Sequence, residues 1–267
     1  MDETIARRIH RVNQACSENE SDLLAVELPL TIESEGRTIL HTQCSPGMVG
    51  ELVVGALYTE GIINLSSDIR GVIIDRGEHD LRARVGLSPS SNRLLDIRAK
   101  KPDADIIGLV RPHRQPPPEA RFTPSMLNTM MRTMEGKQSV FPQTGATHSA
   151  ALFDAHGFML AHAEDLGRHN ALDKAFGAVF AAGDTHKASV AMVTSRISYE
   201  VCRKAVSARL RCLAGISAAT SMAVDWAERH DLTLVGRLRG GRMNVYCHPE
   251  RIRLKDDSQD AWENGVA

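Results

Sequence analysis

Ser189-Val190-Ala191-Met192-Val193-Thr194 is a short apolar run that a helical pattern follows over Tyr199–Leu210, and Cys212-Leu213-Ala214-Gly215-Ile216-Ser217 is a second such run behind it. Short apolar strands alternating with helices mean a largely parallel sheet of α/β type. Working forward, a helix is expected over Ser221–Arg229, a strand over Leu232–Leu238, a turn at Gly240-Gly241 and a last strand over Met243–Cys247. Working backward, Ser149–Phe153 and Phe158–Ala163 read as a hairpin around His156-Gly157. A helix then buries Ala171, Leu172, Ala175, Phe176, Val179 and Phe180 and stops at Gly183.

Upstream the pattern is mixed. Leu23–Ile32 reads as one strand, with a turn at Gly36 and a second strand over Arg37–Thr42. Ser45-Pro46 reads as the N-cap and first position of a helix carrying Met48, Val49, Leu52, Val53, Ala56 and Leu57, which Gly61 stops. Ile69–Ile74 and Leu81–Leu87 are further strands. Five of the eleven prolines fall between Pro112 and Pro124, a stiff linker that puts the domain boundary there. The expected organisation is a mixed α/β domain over 22–115 and a larger α/β domain over 121–255. After the linker, Met126, Leu127, Met130, Met131 and Met134 form a helical stripe, read as core rather than as a binding surface.

The chain has 267 residues, 42% hydrophobic and 24% charged, which excludes a disordered chain. Lys plus Arg number 32 against 33 for Asp plus Glu, so no global field draws nucleic acid or membrane. An anionic ligand needs a local cluster. The five cysteines are scattered without a C-x-x-C, against a disulfide framework or closed zinc site. No apolar run approaches the ~20 residues that span a bilayer. Met1–Arg11 is charged and lacks a signal-peptide core, so a soluble, cytoplasmic protein is expected.

Ligands of open α/β sheets bind beyond the carboxyl ends of the strands, and three polar clusters fall there. Glu164-Asp165-Leu166-Gly167-Arg168-His169-Asn170 opens a helix whose free N–H groups suit an anion, with Asp173 and Lys174 one turn on. Simple capping by Glu164 or Asp165 and a structural role for His169 are the competing readings. Thr194-Ser195-Arg196-Ile197-Ser198 follows the next strand. Arg237-Leu238-Arg239-Gly240-Gly241-Arg242 joins two permissive glycines to three forked donors, which fits a phosphorylated or nucleotide ligand. His162-Ala163-Glu164 matches the first half of a zinc-deaminase signature, but no P-C-x-x-C follows, which excludes that chemistry. Ser195 and Ser198 with His148 or His169 lack the G-x-S-x-G elbow of acyl transfer.

Taken together, these segments resemble the formate dehydrogenase accessory sulfurtransferase family, FdhD. The resemblance rests on Leu28-Pro29-Leu30-Thr31, Pro46 through Ile63, Phe141 through Asp154, Glu164 through Lys174, Ser195-Arg196-Ile197-Ser198-Tyr199-Glu200 and Leu234–Tyr246. It implies two domains, the C-terminal one a cytidine-deaminase-like α/β fold without zinc. It implies a homodimer that takes sulfur from a cysteine desulfurase. The sulfur passes to the molybdenum bis(molybdopterin guanine dinucleotide) cofactor of formate dehydrogenase. Arg237, Leu238, Arg239, Gly240, Gly241 and Arg242 would hold phosphates, with His148, Glu164, Asp165, Arg168, His169, Asn170, Lys174, Ser195 and Arg196 lining the rest.

The family carries sulfur as a persulfide on a C-G-x-C loop before the linker, chemistry that needs a thiolate. Here Ile107-Gly108-Leu109-Val110 aligns at that place, so no catalytic residue is assigned. Ala146 and Thr147 are smaller departures. Three readings follow: a family member that binds the cofactor and assists formate dehydrogenase maturation, sulfur transfer through another cysteine, or a non-catalytic cofactor chaperone or adaptor. Cys44, before Ser45-Pro46, is the one expected to be more exposed.

Overall fold

A computed structural model describes residues 1–14, 16–100 and 121–254. The linker from Pro112 up to residue 120, with Ile107 and Val110, lies outside the described residues.

The chain builds three sheets. β1 (Thr4–Val12) and β2 (Ser17–Ala25) form a hairpin of their own. β3 (Leu28–Ser34), β4 (Arg37–Cys44), β5 (Ile69–Arg76) and β6 (Leu81–Leu87) form a four-stranded sheet in the order β4-β3-β6-β5. The single strand expected over Leu23–Ile32 is therefore two strands in two sheets. Val26 turns back to bond Glu3, and the alternating burial of Leu28, Leu30 and Ile32 begins only beyond it. The first hairpin has no apolar alternation to betray it, because both its faces are mostly exposed.

α1 (Val49–Thr59) crosses α5 (Arg168–Ala181) at two glycines. A Cβ on Gly55 would overlap the Asp173 carbonyl, and one on Gly177 would overlap the Glu51 carbonyl. Those two positions let the helices pack backbone to backbone. α1 begins later than Ser45-Pro46, with Met48 as its N-cap at φ 53 and no side-chain cap. Ser45 is committed elsewhere, as shown below. α2 (Pro89–Lys100) is a helix that the apolar pattern did not reveal, its mean hydropathy being low.

The remaining strands form the larger sheet: β7 (His148–Phe153), β8 (Met159–Asp165), β9 (Val190–Val193), β10 (Cys212–Gly215), β11 (Thr233–Arg239) and β12 (Arg242–Cys247), ordered β12-β11-β10-β9-β7-β8. β9, β10 and β11 run parallel; β7 and β12 run against them. Side chains alternate across the sheet. Leu152, Ala191, Leu213 and Leu234 face a core shared with α1, α5, α6 (Tyr199–Ser207) and α7 (Ser221–Arg229). That core also takes in Leu30, Val53 and Leu81 of the N-terminal segment. Phe153, Met192, Ala214 and Val235 face α3 (Pro124–Glu135), whose Leu127, Met130, Met131 and Met134 are buried against them. The methionine stripe is core. A short α4 (Phe141–Thr144) leads into β7.

Candidate functional site

The polar clusters assemble at one end of the larger sheet. β9 and β10 finish there, β8 leaves there at Asp165, and β7 enters there with His148 opposite Asp165. α5, α6 and α7 all start from that end, after Gly167, Ser198 and Thr220 as N-caps, and none receives a side-chain cap. The α6 and α7 entry loops lie side by side, Ile197 N donating to Ala218 O and Thr220 N to Ile197 O, each at 3.0 Å. Three first turns thus present backbone N–H groups and positive dipole ends to one edge. Arg168 Nε and Ser198 Oγ are buried there and meet no hydrogen-bond partner among the described residues. Arg168 and Arg196 both depress the pKa of half-buried His148, behind the larger effect of burial, while Asp165 opposes them. His148 therefore stays neutral at pH 7. Ser195 is buried and hydrogen-bonds its neighbour, Oγ to Arg196 O at 3.0 Å.

Glu164, Asp165 and Lys174 are spent inside the protein. Glu164 accepts from Ser139 N (2.5 Å), Val140 N (3.0 Å), Phe141 N (2.9 Å) and Thr147 Oγ1 (2.8 Å). Burial raises its pKa, and these four donors outweigh burial and lower it. The carboxylate caps the entry to α4 in place of a ligand. Lys174 Nζ and Asp165 Oδ2 are 2.6 Å apart with both side chains fully buried. Asp165 also accepts from Ser45 N (3.0 Å) and Gly167 N (2.8 Å), and Lys174 donates to Ser45 O (3.1 Å). Leu166 N reaches Ser45 Oγ at 3.2 Å, so Ser45 serves this knot rather than α1. Asn170 closes it, Nδ2 donating to Gln43 O at 2.7 Å and to Asp165 at 3.1 Å. The knot fixes the backbone from which Arg168 and His169 emerge.

A cavity of about 490 Å³ opens beside this end, between β4, α1, α2, α5 and α6. Ile32, Leu57, Ile62 and Leu95 make its apolar wall; His169, Asp173, Glu200, Arg203, Lys204 and Glu60 make its polar one. Lys204 Nζ lies 2.9 Å from both Asp173 oxygens, Thr59 Oγ1 donates to Asp173 at 2.7 Å, and Arg203 pairs with Glu60 at 2.6 Å. Burial raises the Asp173 pKa against the pull of Lys204. His169 Nε2 stands 3.0 Å from Glu200 Oε2, yet burial, then Arg168, push its pKa down to about 4. His169 and Asn170 belong to the polar cluster legible in the sequence, Asp173 extends it by one turn, and Glu200 lies in a segment that carries the family resemblance. Nothing local in the sequence marks Glu60, Arg203 and Lys204 as site residues. Their partners sit too far along the chain to be read from spacing: Arg203 and Glu60 are 143 residues apart.

The arginine–glycine turn lies elsewhere on the same edge. Gly240 (φ 56) and Gly241 (φ 80) form the two-residue turn between β11 and β12. Arg237, at φ 52, sits in a bulge before it, and its N–H bonds Ser217 O at 2.9 Å. Arg239 Nε donates to Ile216 O at 3.1 Å and Gly241 N to Asn128 Oδ1 at 3.2 Å, which seats the turn over the β10 exit and α3. Arg237, Arg239 and Arg242 are exposed, whereas the Leu238 side chain is buried against α3 and offers only backbone. The turn does not line the cavity. Four strand spacings, roughly 19 Å at ~4.8 Å each, separate β11 from β8.

Cys44 is buried, against the expectation of exposure. Burial, then the Asp165 charge, push its pKa up to about 12. Cys202 and Cys212 rise to about 12 and Cys247 to about 11, each mainly through burial. Cys16, near the tip of the first hairpin, is the exposed thiol. His162 shares a 2.8 Å hydrogen bond with Ser149 Oγ. Among the described residues no three of His, Cys, Asp and Glu gather as a metal site, and no helix is long and apolar enough to cross a membrane.

Comparison with known proteins agrees with this fold. A sulfur carrier protein FdhD of Anaeromyxobacter sp. (strain K) is 34% identical over 258 residues, covering 87% of this chain and 89% of that one. The sulfur carrier protein FdhD of Streptomyces coelicolor is 32% identical and covers 94% of this chain and 96% of its own. A crystal structure from Desulfotalea psychrophila, described as a formate dehydrogenase accessory protein, superposes with a TM-score of 0.75 at 20% identity. It covers 94% of this chain and all of its own, so the mixed α/β fold is shared. The profile of the FdhD/NarQ family matches residues 25–253, from the start of the four-stranded sheet to the end of the larger one, and this chain belongs to that family.

Proposed function

We propose that this chain binds the guanine-dinucleotide form of the molybdenum cofactor as cargo and supports the maturation of a formate dehydrogenase, acting as a cofactor chaperone without a sulfur-carrying cysteine pair. The observation that carries this reading is the convergence of three uncapped helix N-termini with the buried, unpartnered Arg168 Nε and Ser198 Oγ. Phosphate oxygens match those donors in charge and geometry. Arg196 stands at the same edge, and Arg237, Arg239 and Arg242 continue it across the sheet. An extended ligand with phosphates at both ends suits a row of donors spread over that distance. The cytoplasmic location and the homodimer implied by the family resemblance belong to the same proposal.

Sulfur carriage is the weaker part of the family inheritance here. Positions 107 and 110 hold Ile and Val, which accept no sulfur, so a cysteine desulfurase finds no carrier pair to load. Transfer through Cys44 is disfavoured by its burial and by a thiol pKa near 12, which leaves almost no thiolate at pH 7. The test is the double variant Arg168→Ala/Arg196→Ala, titrated with GDP. Loss of charge-assisted contacts at about 1.5–3 kcal/mol each should weaken binding at least tenfold. Unchanged affinity removes the three helix N-termini from the site.

A further inference from the structure

The hairpin of β1 and β2 carries an open strand edge. At its base Val26 N donates to Glu3 O at 2.9 Å, and at its tip Asn13 N donates to Cys16 O at 3.0 Å. Both pairs continue the register that sets Thr4 against Ala25 and Val12 against Ser17. Hydrogen-bonded pairs alternate along an antiparallel ladder. Ile5, Arg7, Ile9 and Arg11 therefore spend their N–H and C=O groups on β2. Ala6, Arg8, His10 and Val12 aim theirs away from it, and no strand among the described residues pairs with that edge. β2 is the strand that packs on α4. In β1 only Thr4 and Ile9 are half-buried, and the rest is exposed.

The charges along this edge are of one sign. β1 holds Arg7, Arg8 and Arg11, with His10 and no acid. Arg11 pairs with Glu20 at 2.7 Å, whereas Arg7 and Arg8 form no ion pair among the described residues. Side chains directly opposed across a ladder share a face, and like charges there are destabilising. A second copy of β1 is thus repelled from the edge, and an acidic strand is attracted to it. A phosphate backbone suits the arginines but meets the outward carbonyls, which are acceptors like itself. An extended peptide supplies both the donors and the acceptors that the edge lacks.

We propose that β1 is a docking edge for an extended acidic segment of a partner protein, which adds as a third strand with carboxylates opposite Arg7 and Arg8. Strand addition takes affinity from main-chain hydrogen bonds and specificity from alternate side chains. Two-stranded ribbons are marginal in water by themselves, so a third strand also firms the arm. The inference does not rest on the cofactor reading.

Fluorescence anisotropy of the full chain with an end-blocked, labelled octapeptide, Val-Glu-Thr-Val-Glu-Glu-Val-Val, tests it. In antiparallel register this probe sets acids opposite Arg11, Arg8 and Arg7. Saturable binding that weakens with salt is expected. Arg7→Glu/Arg8→Glu should weaken it at least tenfold through like-charge contact. Ala6→Pro keeps every charge and removes one outward N–H at an edge position that tolerates proline, and it should weaken binding severalfold. In residue-resolved hydrogen exchange the peptide should slow the amides of Ala6, Arg8, His10 and Val12. Both variants alter an arm outside the apolar core, so unchanged melting temperatures verify folding. No saturable binding overturns the proposal, as does equal binding of the peptide with Lys in place of each Glu. Binding that Arg7→Glu/Arg8→Glu abolishes and Ala6→Pro leaves intact, with no slowing of those amides, is ionic contact alone and overturns strand addition. Tighter binding of an oligothymidylate than of the peptide overturns it in favour of a nucleic-acid surface.

Discussion

Lys174 and Asp165 form an ion pair with no solvent contact on either side chain, and the pair holds Ser45, the residue after β4, against the loop that starts α5. The segment that reads as the most specific ligand motif in the sequence is thus, in half its residues, an internal tie. Removing one partner strands the other charge in the core. Lys174→Met is expected to cost about 3–5 kcal/mol, read as a lower urea midpoint. A loss below about 1 kcal/mol would show that the pair is not what fixes this loop.

The crossing of α1 and α5 gives a second stability prediction. Gly177→Ala places a Cβ on the Glu51 carbonyl oxygen, backbone that has no rotamer with which to yield. A destabilisation of about 2 kcal/mol or more is expected, against about 0.5 or less for Gly71→Ala, which meets nothing within 4 Å. Equal effects in thermal unfolding would contradict the close approach.

His169 makes stability depend on pH with a definite sign. Its pKa in the folded protein is about 4, against 6.5 for the ordinary side chain. The unfolded chain therefore takes up a proton first as pH falls. The histidine costs nothing above about pH 6.5, draws stability down progressively between about 6.5 and 4, and adds no further slope below. His148 and His162, also lowered, act in the same direction. His169→Gln should flatten the slope of unfolding free energy over pH 4–6.5, and an unaltered slope would place the titration elsewhere.

Much of the α/β order was legible because β9, β10 and β11 are apolar runs separated by helices of the expected length. The first hairpin and α2 were not, because neither has an apolar stripe, and Leu23–Ile32 merged two strands because apolar residues run through the break at Val26. For the site, His169, Arg168 and Arg196 stood out as polar residues at strand ends and do converge there. Glu60, Arg203 and Lys204 did not, since nothing local marks pairs that close only in the fold. Spacing also could not show that Glu164, Asp165 and Lys174 satisfy internal donors and acceptors.

Sulfur loading separates the chaperone reading from carriage by another cysteine. The Cys16→Ser variant removes the exposed thiol and leaves the four buried ones. After incubation with a cysteine desulfurase and cysteine, it should carry no cyanide-labile sulfur. Adding Ile107→Cys and Val110→Cys to it should produce that label. Labelling of Cys44 in the first variant would restore it as a carrier.

The most direct test of the account is calorimetric titration of the unmodified chain with GDP, the guanine half of the proposed cargo. Saturable binding, lost when Arg168 and Arg196 are both replaced by alanine, is the predicted result, because the phosphates would sit at the N-termini of α5, α6 and α7. No heat of binding at millimolar GDP, or binding indifferent to those two arginines, would contradict the assignment of that edge as the cofactor site.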